Sequence, residues 1–365
     1  MTASQHAGAR LEIDLGAIGA NWRDLRQRVA GGCAVVVKAD AYGLGAALVA
    51  PALAAAGARQ FFVAHLDEAL AIRPLLPEAE VFVLNGLPPS AEADCAAAGV
   101  VPVLNSLAQI DAWTAHARAK GERLPAVIQV DSGMSRMGLS APEVTVLADD
   151  PSRLENITLR LVMSHLACAE RQDHPMNRAQ LAAFEAARRR LPPAPASLAN
   201  SSGIFLGPDF HFDLARPGAA LYGLAPVAGA ANPMRPVVRL LARIVQIRDI
   251  PAGARVGYGA TWTAERPSRI ATVAVGYADG YLRSLSARAT AFADDRPVPL
   301  VGIVSMDTVT FDVTDAPAAA EGGFLELLGP RHSLDALALE AGTIGYELLT
   351  ALGHRYARSY VGAQS

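Results

Sequence analysis

Several residues able to do carbonyl and proton chemistry stand at the ends of apolar runs. Lys38 follows Ala34-Val35-Val36-Val37 and opens a turn broken by Gly43 and Gly45. An amine at the end of a buried strand is partly desolvated, which lowers its pKa and leaves a lone pair for attack on a carbonyl. The glycines let the backbone bend there and approach a ligand closely. Alone, a strand-terminal lysine commonly carries its ammonium into solvent, so its companions decide. Arg136, His165, Asn200, Ser201 and Arg216 each stand at or just beyond a comparable apolar run.

The elements that must position these residues alternate. β-branched runs at Val35–Lys38, Phe61–Ala64, Val81–Leu84, Val101–Leu104, Ala126–Asp131, Thr158–His165, Ser197–Asn200 and Phe212–Arg216 read as strands. Helix-like segments separate them, among them Leu44–Ala56, Leu66–Leu75, Ala91–Ala98, Leu107–Lys120 and Asn177–Arg190. The order predicts an α/β protein with an N-terminal (β/α)8 TIM-type barrel over residues 11–225, its strands buried on both faces. A doubly wound sheet has the same local pattern. Gly, Ala and Pro cluster at Gly223–Pro236 as a linker. The β-rich runs Val237–Ile250, Ile270–Tyr277, Val298–Val304, Thr308–Val313 and Phe324–Leu328 predict a mainly antiparallel β domain over residues 233–365, with short helices at Leu334–Glu340 and Ile344–Leu352. The strand at Leu11–Leu15 precedes the barrel count, so residues 1–15 are available to pair with that second domain.

Composition narrows the function classes. Of 365 residues, 52% are hydrophobic and 18% charged, with a net charge of -3, so no basic excess points to nucleic acid or an anionic membrane. No run resembles a signal peptide or a membrane span. Cys33, Cys95 and Cys168 form neither a disulfide framework nor a metal pattern, and a cytoplasmic location is expected.

On the barrel expectation, Lys38, Arg136, His165, Asn200, Ser201 and Arg216 share the C-terminal face, where such barrels keep their chemistry. Asn200-Ser201-Ser202-Gly203 and Arg216-Pro217-Gly218-Ala219 fall after strands seven and eight. Hydroxyls and glycine-flanked N–H groups there can cradle a dianion. A phosphate site opposite a lysine amine suggests pyridoxal 5′-phosphate held as a Schiff base.

At these residues the chain resembles the alanine racemases, barrel-type (fold type III) pyridoxal-phosphate enzymes, from Leu11 to about Tyr360. The resemblance is carried by Val37-Lys38-Ala39-Asp40-Ala41-Tyr42-Gly43, Asp131-Ser132-Gly133-Met134-Ser135-Arg136-Met137-Gly138, Ser164-His165-Leu166-Ala167 and Ala199-Asn200-Ser201. Further on it rests on Arg216-Pro217-Gly218, Tyr222-Gly223, Val256-Gly257-Tyr258-Gly259, Val275-Gly276-Tyr277-Ala278-Asp279-Gly280 and Ser305-Met306-Asp307. It implies interconversion of L- and D-alanine, supplying D-alanine for peptidoglycan, with Lys38 as cofactor anchor and base on one face of the substrate. Tyr258 of a partner subunit would be the base on the other face, so the resemblance implies a head-to-tail homodimer. It also implies Arg216 at the pyridine nitrogen, His165 against the ring and Arg136 at the phenolic oxygen, with Asn200 among the cofactor contacts. Tyr42, Ser201, Gly218 and Ala219 would form the phosphate shell. Arg136, with Met306 and Asp307 from the partner subunit, would line the substrate pocket, and Tyr277 its entrance.

Three departures bear on rate and substrate range. Gln129 stands where the family often has a carbamylated lysine bonded to the arginine, Leu44 replaces a common histidine, and His354 stands where a tyrosine often precedes arginine. A racemase of broader or different specificity, serine included, and a related amino-acid decarboxylase remain open. The last cysteine is Cys168, which counts against the decarboxylases, whose catalytic cysteine lies near the C-terminus.

Overall fold

Short strands buried on both faces have no solvated side, so they pair in parallel under a coat of helices. In the computed structural model, which describes residues 6–362, β1 (Ala9–Asp14) leads into α1 (Leu15–Gln27). The barrel strands follow as β2 (Gly32–Cys33), β3 (Val35–Val36), β4 (Gln60–Val63), β5 (Glu80–Val83), β6 (Val101–Leu104), β7 (Leu124–Gln129), β8 (Ile157–Met163), β9 (Ala196–Ser197) and β10 (Leu214–Ala215). β3 to β9 form one parallel sheet in sequence order, and β10 pairs in parallel with β2. Backbone bonds from Asp213 N to Ala196 O (3.0 Å) and Arg216 N to Ala199 O (2.9 Å) join the flanks of β9 and β10. Those from Ala34 N to Ala215 O (2.9 Å) and Val36 N to Pro217 O (3.0 Å) carry the ring on to β3. The cylinder therefore closes, and β2 with β3 act as one interrupted strand.

Phe61, Phe62, Val63, Val81 and Val83 are fully buried, and the Phe62 and Phe82 rings stack at 4.5 Å. The helix Leu107–Lys120 shows how the coat attaches. Ser106 accepts from Gln109 N at its start, Ile110, Trp113, Thr114 and Ala117 form its buried stripe, and Gly121 ends it in the left-handed region.

The second unit has β11 (Val238–Ile250) as its spine. Its first half pairs antiparallel with β1, and a register shift between Ile244 and Gln246 precedes the rest of its pairing with the later strands. The later strands are β12 (Arg255–Val256), β13 (Trp262–Thr263), β14 (Ser268–Val273), β15 (Thr290–Ala293), β16 (Arg296–Pro299), β17 (Val309–Asp312), β18 (Phe324–Leu328) and β19 (Ala357–Val361). β11 takes β18 beside its first half and β14 along its second, and β14 takes β17. β1 lies between β11 and β19, antiparallel to one and parallel to the other. Residues 11–18, inside the barrel bounds drawn from sequence, thus belong with the β-rich unit, as do Tyr222–Leu224. Leu11 and Ile13 are fully buried there, a burial that outweighs their position next to α1 in the chain.

The expected run Ile270–Tyr277 ends as a strand at Val273, and Val298–Val304 is a strand only to Pro299. Beyond those points the chain turns into the tight loops around Gly276 and Ser305. β15 and β19 carry mixed small and polar residues, so their strand pattern is weak in sequence and their pairing depends on neighbours. Ile13→Ala should cost about 3 kcal/mol through the cavity it leaves in that sheet, read as a lowered urea midpoint.

Candidate active site

The backbone after β3 explains how Lys38 is presented. Val37 N still bonds Phe62 O at 2.9 Å, so the ladder ends just before Lys38. Ala39, Asp40, Ala41 and Tyr42 then all take left-handed values, with φ from 52° to 57°. At about 1–2 kcal/mol per residue, such a turn needs support from elsewhere. Bonds from Ala41 N to Val37 O (2.9 Å), Gly43 N to Ala39 O (2.7 Å) and Gly45 N to Asp40 O (2.9 Å) supply part of it. The Asp40 carboxylate accepts from Ala46 N at 2.6 Å. Glu68 accepts from Ala39 N at 2.6 Å and from Ala64 N at 2.7 Å, tying the turn to the end of β4. Sequence reading did not single out Asp40 or Glu68; Asp40 lies within a quoted motif, and Glu68 has only the mark of an acid in a helix's first turn.

Lys38 has its pKa lowered, first by burial and then by the Arg136 charge, with Glu68 acting in the opposite direction. Arg216 is 4% exposed and donates to Ser164 O at 2.6 Å and to Ser197 Oγ. Burial pulls it down to about 9, so it stays protonated at neutral pH. His165 is pushed down to about 3 by burial of its ring, then by the charges of Arg216, Arg136 and Lys38. Three cations and a neutral imidazole thus share the C-terminal rim, an environment suited to an anion.

Part of an oxyanion cradle sits beside them. Ser201 Oγ accepts from Gly218 N at 3.0 Å and Ala220 N at 3.2 Å, where a short 3-10 turn begins at Ala219. A Cβ on Gly218 would lie 2.3 Å from the Tyr42 hydroxyl oxygen, so only glycine lets that hydroxyl cover the backbone there. Tyr42, Ser201, Gly218 and Ala219 therefore lie around one turn, with donors able to hold a phosphate. Asn200 is engaged in its own loop: it accepts from Gly203 N at 2.9 Å and donates to Leu166 O at 3.5 Å.

The Arg136 loop is shaped by Asp131, whose Oδ1 accepts from the N–H groups of Gly133, Met134 and Ser135 at 2.9, 2.9 and 3.1 Å. Arg136 itself is exposed, whereas Gln129 and Leu44 are buried. Gln180, fully buried, was not anticipated. It donates to His165 O (2.9 Å) and accepts from Ala167 N (2.8 Å), holding the backbone on both sides of Leu166. Its signal in sequence is a polar residue on the same helix stripe as Asn177, Leu181 and Phe184.

In the β-rich unit, Tyr258 occupies a 3-10 turn between Gly257 and Gly259 and is 73% exposed. Tyr277 and Met306 are 43% and 52% exposed, unusual for side chains of their size. Their loops are joined by Tyr277 N to Ser305 O and Ala278 N to Met306 O, both 3.0 Å. Asp307 accepts from Arg355 at 2.7 Å, while His354 is exposed.

Models of the alanine racemase N-terminal and C-terminal domains match residues 13–226 and 237–360. An alanine racemase of Acidiphilium cryptum is 55% identical over 348 residues, 95% of this chain and 97% of that protein. One from Rhodospirillum rubrum is 53% identical over 369 residues, covering 100% of this chain and 99% of that protein. The crystal structure of a Bartonella henselae alanine racemase with covalently bound pyridoxal phosphate superposes with a TM-score of 0.94 at 44% identity, covering 97% of this chain and 100% of that one.

The His165 environment has a measurable sign. Its folded pKa lies below the ordinary value near 6.5, so its neutral form favours the fold above about pH 6.5, and that contribution is lost as pH falls toward about 3. Its ring nitrogen resonances should keep neutral-imidazole shifts down to about pH 5.

Proposed function

The chain belongs to the alanine racemase family, and from that premise we propose that it interconverts L- and D-alanine with pyridoxal 5′-phosphate anchored on Lys38. The observation that carries this reading is the pairing of a desolvated lysine amine with the Tyr42–Ser201–Gly218 cradle on one barrel rim. The donor set fits the cofactor, since hydroxyls and backbone N–H groups suit its phosphate and the surrounding cations suit its negative charge. When bound, pyridoxal phosphate supplies the electron sink that makes an amino acid's α-proton removable.

The chain's own residues do the rest. Lys38, its pKa already lowered, holds or releases a proton at Nζ on one face of the α-carbon. Tyr258 of a second copy serves the other face, and its exposure leaves the hydroxyl free to reach a neighbouring chain. Arg216 would meet the pyridine nitrogen as a donor; because it stays protonated, it would leave that nitrogen without a proton and restrain side reactions. His165, neutral, would pack on the ring without adding charge, and Arg136 would bind the phenolic oxygen and orient the substrate carboxylate. Asn200 supports the loop under Ser201. Tyr277, Met306 and Asp307 of the second copy bound the space for the substrate side chain. The enzyme is then a homodimer with shared sites. It works in the cytoplasm, where its free thiols persist, and its D-alanine feeds peptidoglycan.

Exchange of the α-proton of both alanine enantiomers in deuterated water tests the reaction, with serine and larger amino acids run beside it to define range. Absence of exchange with every small amino acid would overturn the reading. Lys38→Ala should abolish borohydride-stable cofactor attachment and activity together. Tyr258→Phe should retain the visible absorption of bound cofactor and lose about 10²–10⁴-fold in rate, unequally in the two directions.

A further inference from the structure

The segment around Arg355 has no part in the reaction as described above, yet its contacts converge on the loops that carry Tyr277, Met306 and Asp307. We infer that Asp279 and Arg355 are positioning residues that hold the Met306–Asp307 wall of the substrate pocket and so set which side chains it admits. The inference rests on the racemase reading of that pocket.

Arg355 uses all three of its guanidinium nitrogens. Nε donates to Asp279 Oδ1 at 2.6 Å and one terminal nitrogen to Asp279 Oδ2 at 2.8 Å, a planar fork on a carboxylate that is 4% exposed. The other terminal nitrogen donates to Asp307 Oδ1 at 2.7 Å. Asp279 in turn accepts from Gly276 N at 2.9 Å. Gly276 is pressed against the neighbouring loop: a Cβ there would lie 2.2 Å from Met306 O. With Ala278 N donating to Met306 O, the turn Tyr277–Asp279 and the loop Ser305–Asp307 are one backbone assembly, locked by a single arginine. Behind it, Gly353 N donates to Asp279 O at 3.0 Å, anchoring the arginine's own segment to the same aspartate.

The fork needs a planar group with divergent donors. Lysine presents a point charge and cannot hold Asp279 in two places while reaching Asp307. Loosening the clamp leaves the Lys38 and Ser201 shells untouched, since both belong to the barrel, and moves only the wall. The expected signature is a change in substrate discrimination without a change in cofactor binding.

The test uses the full-length holoenzyme, with wild-type exchange on alanine measured first. Wild-type inactivity would overturn the racemase reading and this inference with it. Given an active wild type, Arg355→Lys and Asp307→Asn should each raise KM for alanine about tenfold, lower kcat less than kcat/KM, and shrink the preference for alanine over serine about fivefold. The visible absorption of bound cofactor should stay at wild-type level. Because Asp307 is exposed, its asparagine variant keeps the test open if Arg355→Lys fails to fold. The double variant should add little to either single one, as two halves of one clamp require. Unchanged alanine-to-serine ratios in folded variants, or equal loss of cofactor absorbance and activity, would overturn the clamp.

Discussion

The concentration of positive charge on one barrel rim is the constraint around which the structure is arranged. Lys38, Arg136 and Arg216 all press on His165, and Glu68 offsets only part of that charge at Lys38. Cations gathered in a partly desolvated place are costly unless something negative joins them. The fold tolerates the arrangement through neutral oxygens: Ser164 O and Ser197 Oγ hold Arg216. A phosphate and a substrate carboxylate would complete the balance, so the electrostatics of the rim favour the charged ligands of the proposed reaction.

The backbone shares that economy of purpose. Four consecutive left-handed residues after Lys38 make a conformation that L-residues avoid, held by Glu68, Asp40 and two following glycines. The turn swings Tyr42 back so that its hydroxyl lies over Gly218. Lysine anchor and phosphate cradle are thereby coupled through a few residues of chain, and strain in one is part of the geometry of the other.

The β-rich unit works by exposure rather than burial. Tyr258, Tyr277 and Met306 stand on tight loops with large apolar surfaces open to solvent. Such a display adds nothing to the stability of a single chain and suits the contact with a second copy that is proposed above. The loops beneath are made rigid by backbone contact and by Arg355, so what is displayed is well defined.

Much of this protein was legible in its sequence. The alternation of apolar strands and helical stretches specified a parallel sheet under helices, because such strands need cover on both faces; that it closes as a barrel was decided by the bonds joining β10 to β2 and β3. The motifs around Lys38, Arg136, His165, Ser201, Arg216 and Tyr258 carried the resemblance to the alanine racemases, and the resemblance implied the chemistry. What sequence could not convey depends on partners distant along the chain. That residues 9–14 pair with the β-rich sheet was open to reading from their place before the barrel count, but that they insert between β11 and β19, antiparallel to one and parallel to the other, is named by nothing local to them. Glu68, Gln180 and the Asp279–Arg355 fork look like ordinary surface or helix polar residues until the fold brings each to its acceptor or donor. Residue types and spacing determined which reaction is possible; only tertiary structure decided what holds the reacting groups in place, because hydrogen-bond geometry is a property of assembled elements and not of neighbours in sequence.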